Sequence, residues 1–262
     1  MQTLMYHDVV PAGQYGLSGF QGQHANHYKL TTLEFEQHLS TLLASGVGPA
    51  TVDPDGFQSP DSPAVRFLLS FDDGGVSFLT EIAPRLEAVG CRGLFFITTD
   101  SIGTQGFLSE GQLRELADRG HLIGSHTCSH PARISSLRPA LLTQEWSASR
   151  SRLELILDRP VVTASIPGGY YSEQVAVAAV QSGLQHIFTS EPTARSWRIG
   201  DGWVHGRYSV TRRTSAGKVA DLAAGRALAC RRQWVAWNAR KAVKRMTGPL
   251  YEPVRRLLLR AG

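Results

Sequence analysis

The chain has 262 residues, 42% of them hydrophobic and 19% charged, with 26 Gly and 13 Pro. That excludes global disorder and allows a full core in one barrel-sized domain. The three cysteines, Cys91, Cys128 and Cys230, contain no CxxC pair, which excludes a disulfide scaffold and a thiolate zinc finger and suits a reducing compartment. The formal charge of +5 is uneven, because residues 226–262 carry +9 and residues 1–225 carry −4.

Taken in chain order, the body alternates short β-rich apolar runs with helical stretches. Leu4–His7 reads as the first strand. Thr31 and Glu34 form a capping box that opens a helix with Phe35, Leu39, Leu42 and Leu43 on its apolar stripe. Residues 47–63 read as loop, and Val65–Phe71 as a buried strand ending at Asp72-Asp73-Gly74-Gly75. A helix to Gly90 and a strand over Gly93–Ile97 follow. Ser109–Arg119 is helical with Leu113 and Leu116 inward, and Gly120 stops it.

The strand His121–Ser125 runs into His126-Thr127-Cys128-Ser129-His130. The long helix Arg138–Asp158 precedes the strand Val161–Ile166, which ends in Pro167-Gly168-Gly169. Val175–Ser182 is a helix, and His186–Thr189 and Val204–Val210 are strands. This alternation predicts a mainly parallel sheet with helical cover, whose strand ends meet at one mouth.

The polar motifs all fall at strand ends. Adjacent carboxylates directly after an apolar strand are costly without a compensating cation. Asp72 and Asp73 thus read either as an ordinary turn or as a metal ligand beside a proton-handling group. His126 and His130 are four apart, the spacing of one side of a helical turn, and read as surface histidines or as ligands. Taken with an Asp from another strand end, they form a set suited to zinc or cobalt that activates water. Cys128, between them, is expected to point away. Pro167, Gly168 and Gly169 form a turn able to offer backbone N–H groups to an oxyanion. His7 ends the first strand and is a candidate to line the pocket.

Together these motifs resemble the NodB-type polysaccharide deacetylases of carbohydrate esterase family 4. Ser70-Phe71-Asp72-Asp73 is similar to the family's T-F-D-D motif, and His126-Thr127-Cys128-Ser129-His130 to H-[ST]-x-x-H. Ser165-Ile166-Pro167-Gly168-Gly169 resembles a degenerate R-x-P-[YFW]-G, and Leu4-Met5-Tyr6-His7 the L-M-Y-H start of many members. The resemblance covers roughly residues 1–210. It implies an α/β fold, a deformed (β/α) barrel of the NodB type, over residues 1–225, to which the charge pattern adds a basic helical tail at 226–262.

The resemblance further implies a metal-dependent hydrolase that removes an N-acetyl group from an amino sugar of a glycan or lipid-linked saccharide. Asp72 would be the general base acting on a metal-activated water. Asp73, His126 and His130 would hold a divalent metal, with Zn2+ the first choice and Co2+ or Ni2+ alternatives. Pro167, Gly168, Gly169 and Tyr170 would form the substrate and oxyanion wall. Three features depart from the pattern: Ser165 replaces the motif's Arg, Gly168 replaces its aromatic residue, and no L-x-H motif supplies an acid. His205 is the candidate acid in the region Asp201–His205. The alternatives are a catalytically silent glycan-binding member of the same fold, motivated by the missing Arg, and a deacylase of a non-acetyl amide.

In the tail, Trp234, Trp237, Lys241 and Lys244 recur at helical spacing, and Gly248-Pro249 and Pro253 divide it into two helical pieces. It reads either as a helix packed on the body or as an element drawn to an anionic membrane surface. No nucleic-acid readout motif accompanies the charge. Met1–Asp8 has no cationic leader, and no apolar run reaches membrane-spanning length. A cytoplasmic protein, peripheral at the inner membrane face if the tail docks there, is therefore expected.

Overall fold

Ten strands hydrogen-bond into one sheet in the computed structural model, which describes residues 1–52 and 66–247. The chain begins with β1 (Gln2–Tyr6) and β2 (Val9–Val10), then α1 (Gln23–Asn26), β3 (Leu30–Thr31), α2 (Thr32–Ala44) and β4 (Gly48–Pro49). β5 (Arg66–Phe71) leads to a π-helical turn over Phe78–Ile82 that runs into α3 (Ala83–Ala88). Next come β6 (Leu94–Ile97), α4 (Glu110–Asp118), β7 (Leu122–Ser125), α5 (Pro139–Leu157), β8 (Thr163–Ser165), α6 (Glu173–Gln181) and β9 (His186–Phe188). β10 (Ser196–Ile199), β11 (Gly202–His205), β12 (Tyr208–Ser209), α7 (Ala216–Ala223) and α8 (Ala227–Thr247) complete it.

The strand order is β10-β11-β9-β8-β7-β6-β5-β1-β12, with β4 added beside β5. Among the described strands of this sheet, only the β10–β11 pair is antiparallel and the other pairings are parallel. Parallel strands carry their C-terminal ends to one side, so the residues after β1, β5, β7, β8 and β9 share a mouth. The small β2–β3 pair lies beside this sheet.

Period-2 alternation sorts the side chains between two apolar layers. Phe67, Leu69 and Phe71 of β5, with Phe95 and Ile97 of β6, join the large cluster beneath the helices. Their neighbours Leu68, Leu94 and Phe96 join Phe188 in a separate small cluster on the other face. Ser70 belongs to that second set by alternation, and Asp72 follows it at the mouth.

The sequence signals for helix ends hold locally. The Thr31 side chain accepts from Glu34 N–H while the Glu34 carboxylate receives the Thr31 N–H at 2.7 Å. Ser109 and Gln112 make the same reciprocal box at α4, whose Leu113 and Leu116 are buried.

Other expectations need correction. Val204–Val210 is not one strand: it breaks at Gly206-Arg207 into β11 and β12, which lie in different parts of the sheet order. A Cβ at Gly206 would collide with the carbonyl oxygens of Thr193 and Glu191. The bare glycine therefore lets the chain cross under that loop. β10 and α7 were not anticipated, and most of the expected loop at 47–63 lies outside the described residues.

The tail's first piece is α8, docked against the body rather than free of it. Cys230 packs against the core, the Gln233 side-chain amide donates to Ser209 O at 2.7 Å, and Lys241 pairs with Glu191 at 2.8 Å. These positions recur at helical spacing and define one face. The expected second piece lies outside the described residues. Among the described residues, no helix is long and apolar enough to cross a membrane.

Replacing Thr31 with Ala removes the α2 cap and should cost about 1 kcal/mol. A lower urea midpoint with an unchanged m-value is the expected outcome.

Candidate active site

The mouth collects Asp72 and Asp73 after β5, His126 after β7, His130 four residues on, and the Pro167 turn after β8. Asp73, His126 and His130 bring one carboxylate oxygen and two ring nitrogens within 4.8 Å of one another. His126 Nε2 lies 3.4 Å and His130 Nε2 3.6 Å from Asp73 Oδ1. The other nitrogen of His126, Nδ1, is 2.9 Å from Ser165 O. A carbonyl can only accept, so Nδ1 carries a proton and Nε2 is turned to the cluster, a donor to Asp73 when the ring is charged and a lone pair when it is neutral. An O,N,N donor set oriented in this way fits a divalent ion such as zinc.

The two histidines do not share a helical turn, contrary to the reading from their spacing. They sit on an irregular loop in which Thr127 has φ 68° and His130 φ 52°, and Asp73 across the site has φ 91°. Non-glycine residues held there each cost about 1–3 kcal/mol and persist only where surrounding structure enforces them. Here Glu145 of α5 accepts from Cys128 N–H and Ser129 N–H, each at 3.0 Å, and from Ser129 Oγ at 2.6 Å. Thr127 Oγ1 accepts from His130 N–H at 3.2 Å. The Cys128 thiol is half-buried.

Asp72 is buried, and its charge is met by a residue that sequence reasoning missed. Arg207, in the break between β11 and β12, is fully buried and donates from Nη1 to Asp72 Oδ1 at 2.7 Å and from Nη2 to Oδ2 at 2.8 Å. Ser165 Oγ donates to Asp72 Oδ2 at 3.0 Å and accepts from Arg207 Nη2 at 2.7 Å. Arg207 is itself fixed by Nε donating to Thr189 O at 3.0 Å and by Phe96, 5.4 Å beneath the guanidinium. The serine in the place of the third-motif Arg leaves the space that a guanidinium from another strand end fills. The Gly206-Arg207 pair interrupting the run Val204–Val210 was the available signal.

Burial alone would raise the Asp72 carboxyl, but the charge of Arg207, then His126, brings it below its ordinary value. Asp73 is likewise opposed by burial and held well below the carboxylate range by hydrogen bonding to His126 and the charges of His7 and His130. His126 is raised despite its burial, because Asp72 and Asp73 favour its cation. His130 is lowered by burial and by the neighbouring His126.

His7 follows β1, and its charge acts on both Asp72 and Asp73. Its ring packs on Tyr28 at 4.7 Å, and its buried Nδ1 has no hydrogen-bond partner. His205 is engaged elsewhere: Nε2 lies 3.1 Å from His186 Nδ1, and Nδ1 lies 2.8 Å from Ser196 Oγ. Burial and the adjacent His186 push it down to about 3. A buried imidazole held neutral in this way is poorly suited to the acid role expected from its position. Both Gly168 and Gly169 adopt positive φ, 61° and 68°, in the Pro167–Gly169 turn. The half-buried ring of Tyr170 lies against Gly168 and faces Arg133 at 5.7 Å.

The segment between β2 and β3 closes one side of the mouth. Phe20 lies 5.0 Å from the His130 ring and 5.1 Å from Phe107. Buried Asp8 anchors the segment by accepting from Ser18 Oγ at 2.6 Å and Ser77 Oγ at 2.8 Å. Lys29 Nζ holds it from within through Tyr15 O and Ser18 O, at 2.7 and 2.6 Å.

Sheet order, strand-end motifs and helical cover define the fold as the NodB-type deacetylase barrel, open rather than closed among the described strands. It matches IcaB from Ammonifex degensii with a TM-score of 0.70 and 24% identity, over 85% of this chain and 96% of that one. The polysaccharide deacetylase family profile matches residues 60–187. The Bacillus subtilis (strain 168) protein YxkH is 28% identical over 201 residues, 75% of this chain and 66% of that protein. A chitin deacetylase from Pestalotiopsis sp is 30% identical over 118 residues, 45% of this chain and 38% of that protein. The chain thus spans about two thirds or less of the length of these relatives. By these matches the chain is similar to the polysaccharide deacetylase family.

Substituting Arg207 by Met should destabilise the metal-free protein by about 3–5 kcal/mol, because it leaves a buried carboxylate unpaired. The pH dependence should change sign at this site. In the wild type, Asp72 titrates below its unfolded value, so its contribution is present at neutral pH and lost as pH falls through the folded value. In Arg207→Met burial dominates and raises Asp72, so stability recovers as pH falls. Urea unfolding at several pH values measures both effects.

Proposed function

We propose that the protein is a divalent-metal-dependent hydrolase that removes the N-acetyl group from an amino sugar of a glycan. The observation that carries this reading is the buried Asp72, kept ionised by Arg207 beside the Asp73, His126 and His130 donors. A base must be deprotonated at working pH and fixed in direction, and the bidentate guanidinium serves both needs.

Asp73, His126 and His130 would hold the ion. When bound, a Zn2+ ion supplies Lewis acidity to the acetamide oxygen and makes water acidic enough to react near neutral pH. Asp72 accepts a proton from the attacking water, while Ser165 and Arg207 hold both of its oxygens in place. The backbone of the Pro167–Gly169 turn, opened by two left-handed glycines, offers N–H groups to the oxygen that gains charge. His7 is the group we assign to protonate the departing nitrogen, since it follows β1 at the mouth and its Nδ1 is uncommitted. Acetate and a free amine on the sugar are the products.

The silent-binder alternative drew on Ser165 standing where an Arg is expected. Arg207 supplies that charge from another strand, so the motive for the alternative falls away. The docked face of α8 also removes Trp237 from a lipid-facing role.

Acetate release from N-acetylglucosamine oligomers with added Zn2+ is the test. Asp72→Asn should lower kcat at least a thousandfold while bound zinc stays near one per chain. His126→Ala should lose the zinc itself. His7→Gln should lower kcat, whereas His205→Gln should leave it close to the wild-type value. Wild-type protein that binds zinc but releases no acetate would overturn the reading.

A further inference from the structure

The C-terminal helix is not accounted for by the chemistry above, yet it touches the catalytic turn. A Cβ at Gly169 would come within 2.6 Å of the Trp237 ring, so the glycine and the indole are in intimate contact. Lys241 of α8 ties the helix to Glu191, which lies just beyond β9 on the mouth side of the sheet. Beside this contact is a cavity of about 610 Å³ lined by Glu191, Thr193, Arg195, Ser196, Trp197 and Trp234. That volume is within the range of about 300–1,000 Å³ that takes small organic ligands.

The lining has a specific character. Trp234 is 53% exposed, although it is next to Gln233 on the docked side of the helix. Opposite it, Trp197 donates its indole N–H to Tyr171 Oη at 3.2 Å, and the two rings meet edge to face at 5.7 Å. Tyr171 directly follows Tyr170 and the Pro167–Gly169 turn. The cavity is thus joined to the oxyanion turn through Trp197–Tyr171, and its other indole, Trp234, is on the same helix as Trp237, which meets Gly169. Two indoles with a carboxylate, a guanidinium and two hydroxyls among them match a pyranose, which has apolar C–H faces and a rim of hydroxyls.

We propose that the groove between α8 and the β10–β11 hairpin is a glycan subsite that holds sugar units flanking the one being deacetylated. This rests on the deacetylase reading and narrows its substrate class to oligosaccharides or longer chains rather than single amino sugars. The basic aromatic helix then serves as a substrate wall, supplying aromatic surface at a turn where Gly168 and Gly169 offer none.

The test compares kcat/KM for acetate release from N-acetylglucosamine oligomers of two and five units, with the zinc-loaded full chain. In the wild type the pentamer should be preferred by about tenfold, mostly through KM, equivalent to about 1.4 kcal/mol. Trp234→Ala should cut that ratio below about threefold with its thermal midpoint unchanged, because the side chain is half exposed, and Trp234→Phe should restore most of it. An unchanged ratio in Trp234→Ala, or no length preference in the wild type, overturns the subsite while leaving deacetylation intact. If Trp234→Ala instead loses binding to equimolar phosphatidylglycerol–phosphatidylcholine vesicles and keeps its ratio, the groove faces lipid and the proposal is wrong. No acetate from any length sinks the deacetylase reading and the subsite with it.

Discussion

A carboxylate buried at the end of an apolar strand must find a cation, and the rest of the site is organised around how Asp72 finds one. The partner, Arg207, comes from a break between two strands that lie far apart in the sheet order. Reaching Asp72 requires the chain to leave β11, pass beneath the loop at residues 191–193 where only a glycine fits, and deliver a fully buried guanidinium over Phe96. Ser165 completes the arrangement because it is small. A long side chain there would occupy the space the guanidinium needs, and a residue without a hydroxyl would leave Asp72 Oδ2 with one donor fewer.

The same economy governs the Asp–His–His cluster. Three residues around it sit at positive φ, a cost of a few kcal/mol that local sequence does not repay. It is carried by contacts from distant elements: Glu145 on α5 grips the histidine loop, Ser165 O sets the His126 tautomer, and Phe20 packs on His130. Strain and like-charge crowding concentrate where the chemistry is proposed. The large apolar cluster under the helices is where the stability that offsets them is held.

The C-terminal segment shows how composition can mislead about location. Its high positive charge and tryptophans read equally well as a surface element or a packed helix, because amphipathic spacing is the same in both. Packing decided it: Cys230, Gln233, Trp237 and Lys241 turn one face to the body, while Arg231, Arg232 and Arg240 remain exposed. The arginines are solvated, and of the two tryptophans it is Trp237 that is seated against the body.

Most of the fold was legible in the chain because its signals are local. The capping box at Thr31 fixes a helix start, apolar runs such as Val65–Phe71 fix strands, and the turn after each strand puts its polar residues at one mouth. For the same reason Asp72, Asp73, His126, His130 and Pro167 could be picked out as neighbours before any coordinate. Arg207, the bonds to His186 and Ser196 that take up His205, and the seat of α8 could not. Each depends on which strand lies beside which and on the space a serine or glycine leaves open. Sequence carries the period of a strand and the chemistry at its end. The meeting of groups some 135 residues apart is set by sheet order and packing, which no local pattern encodes.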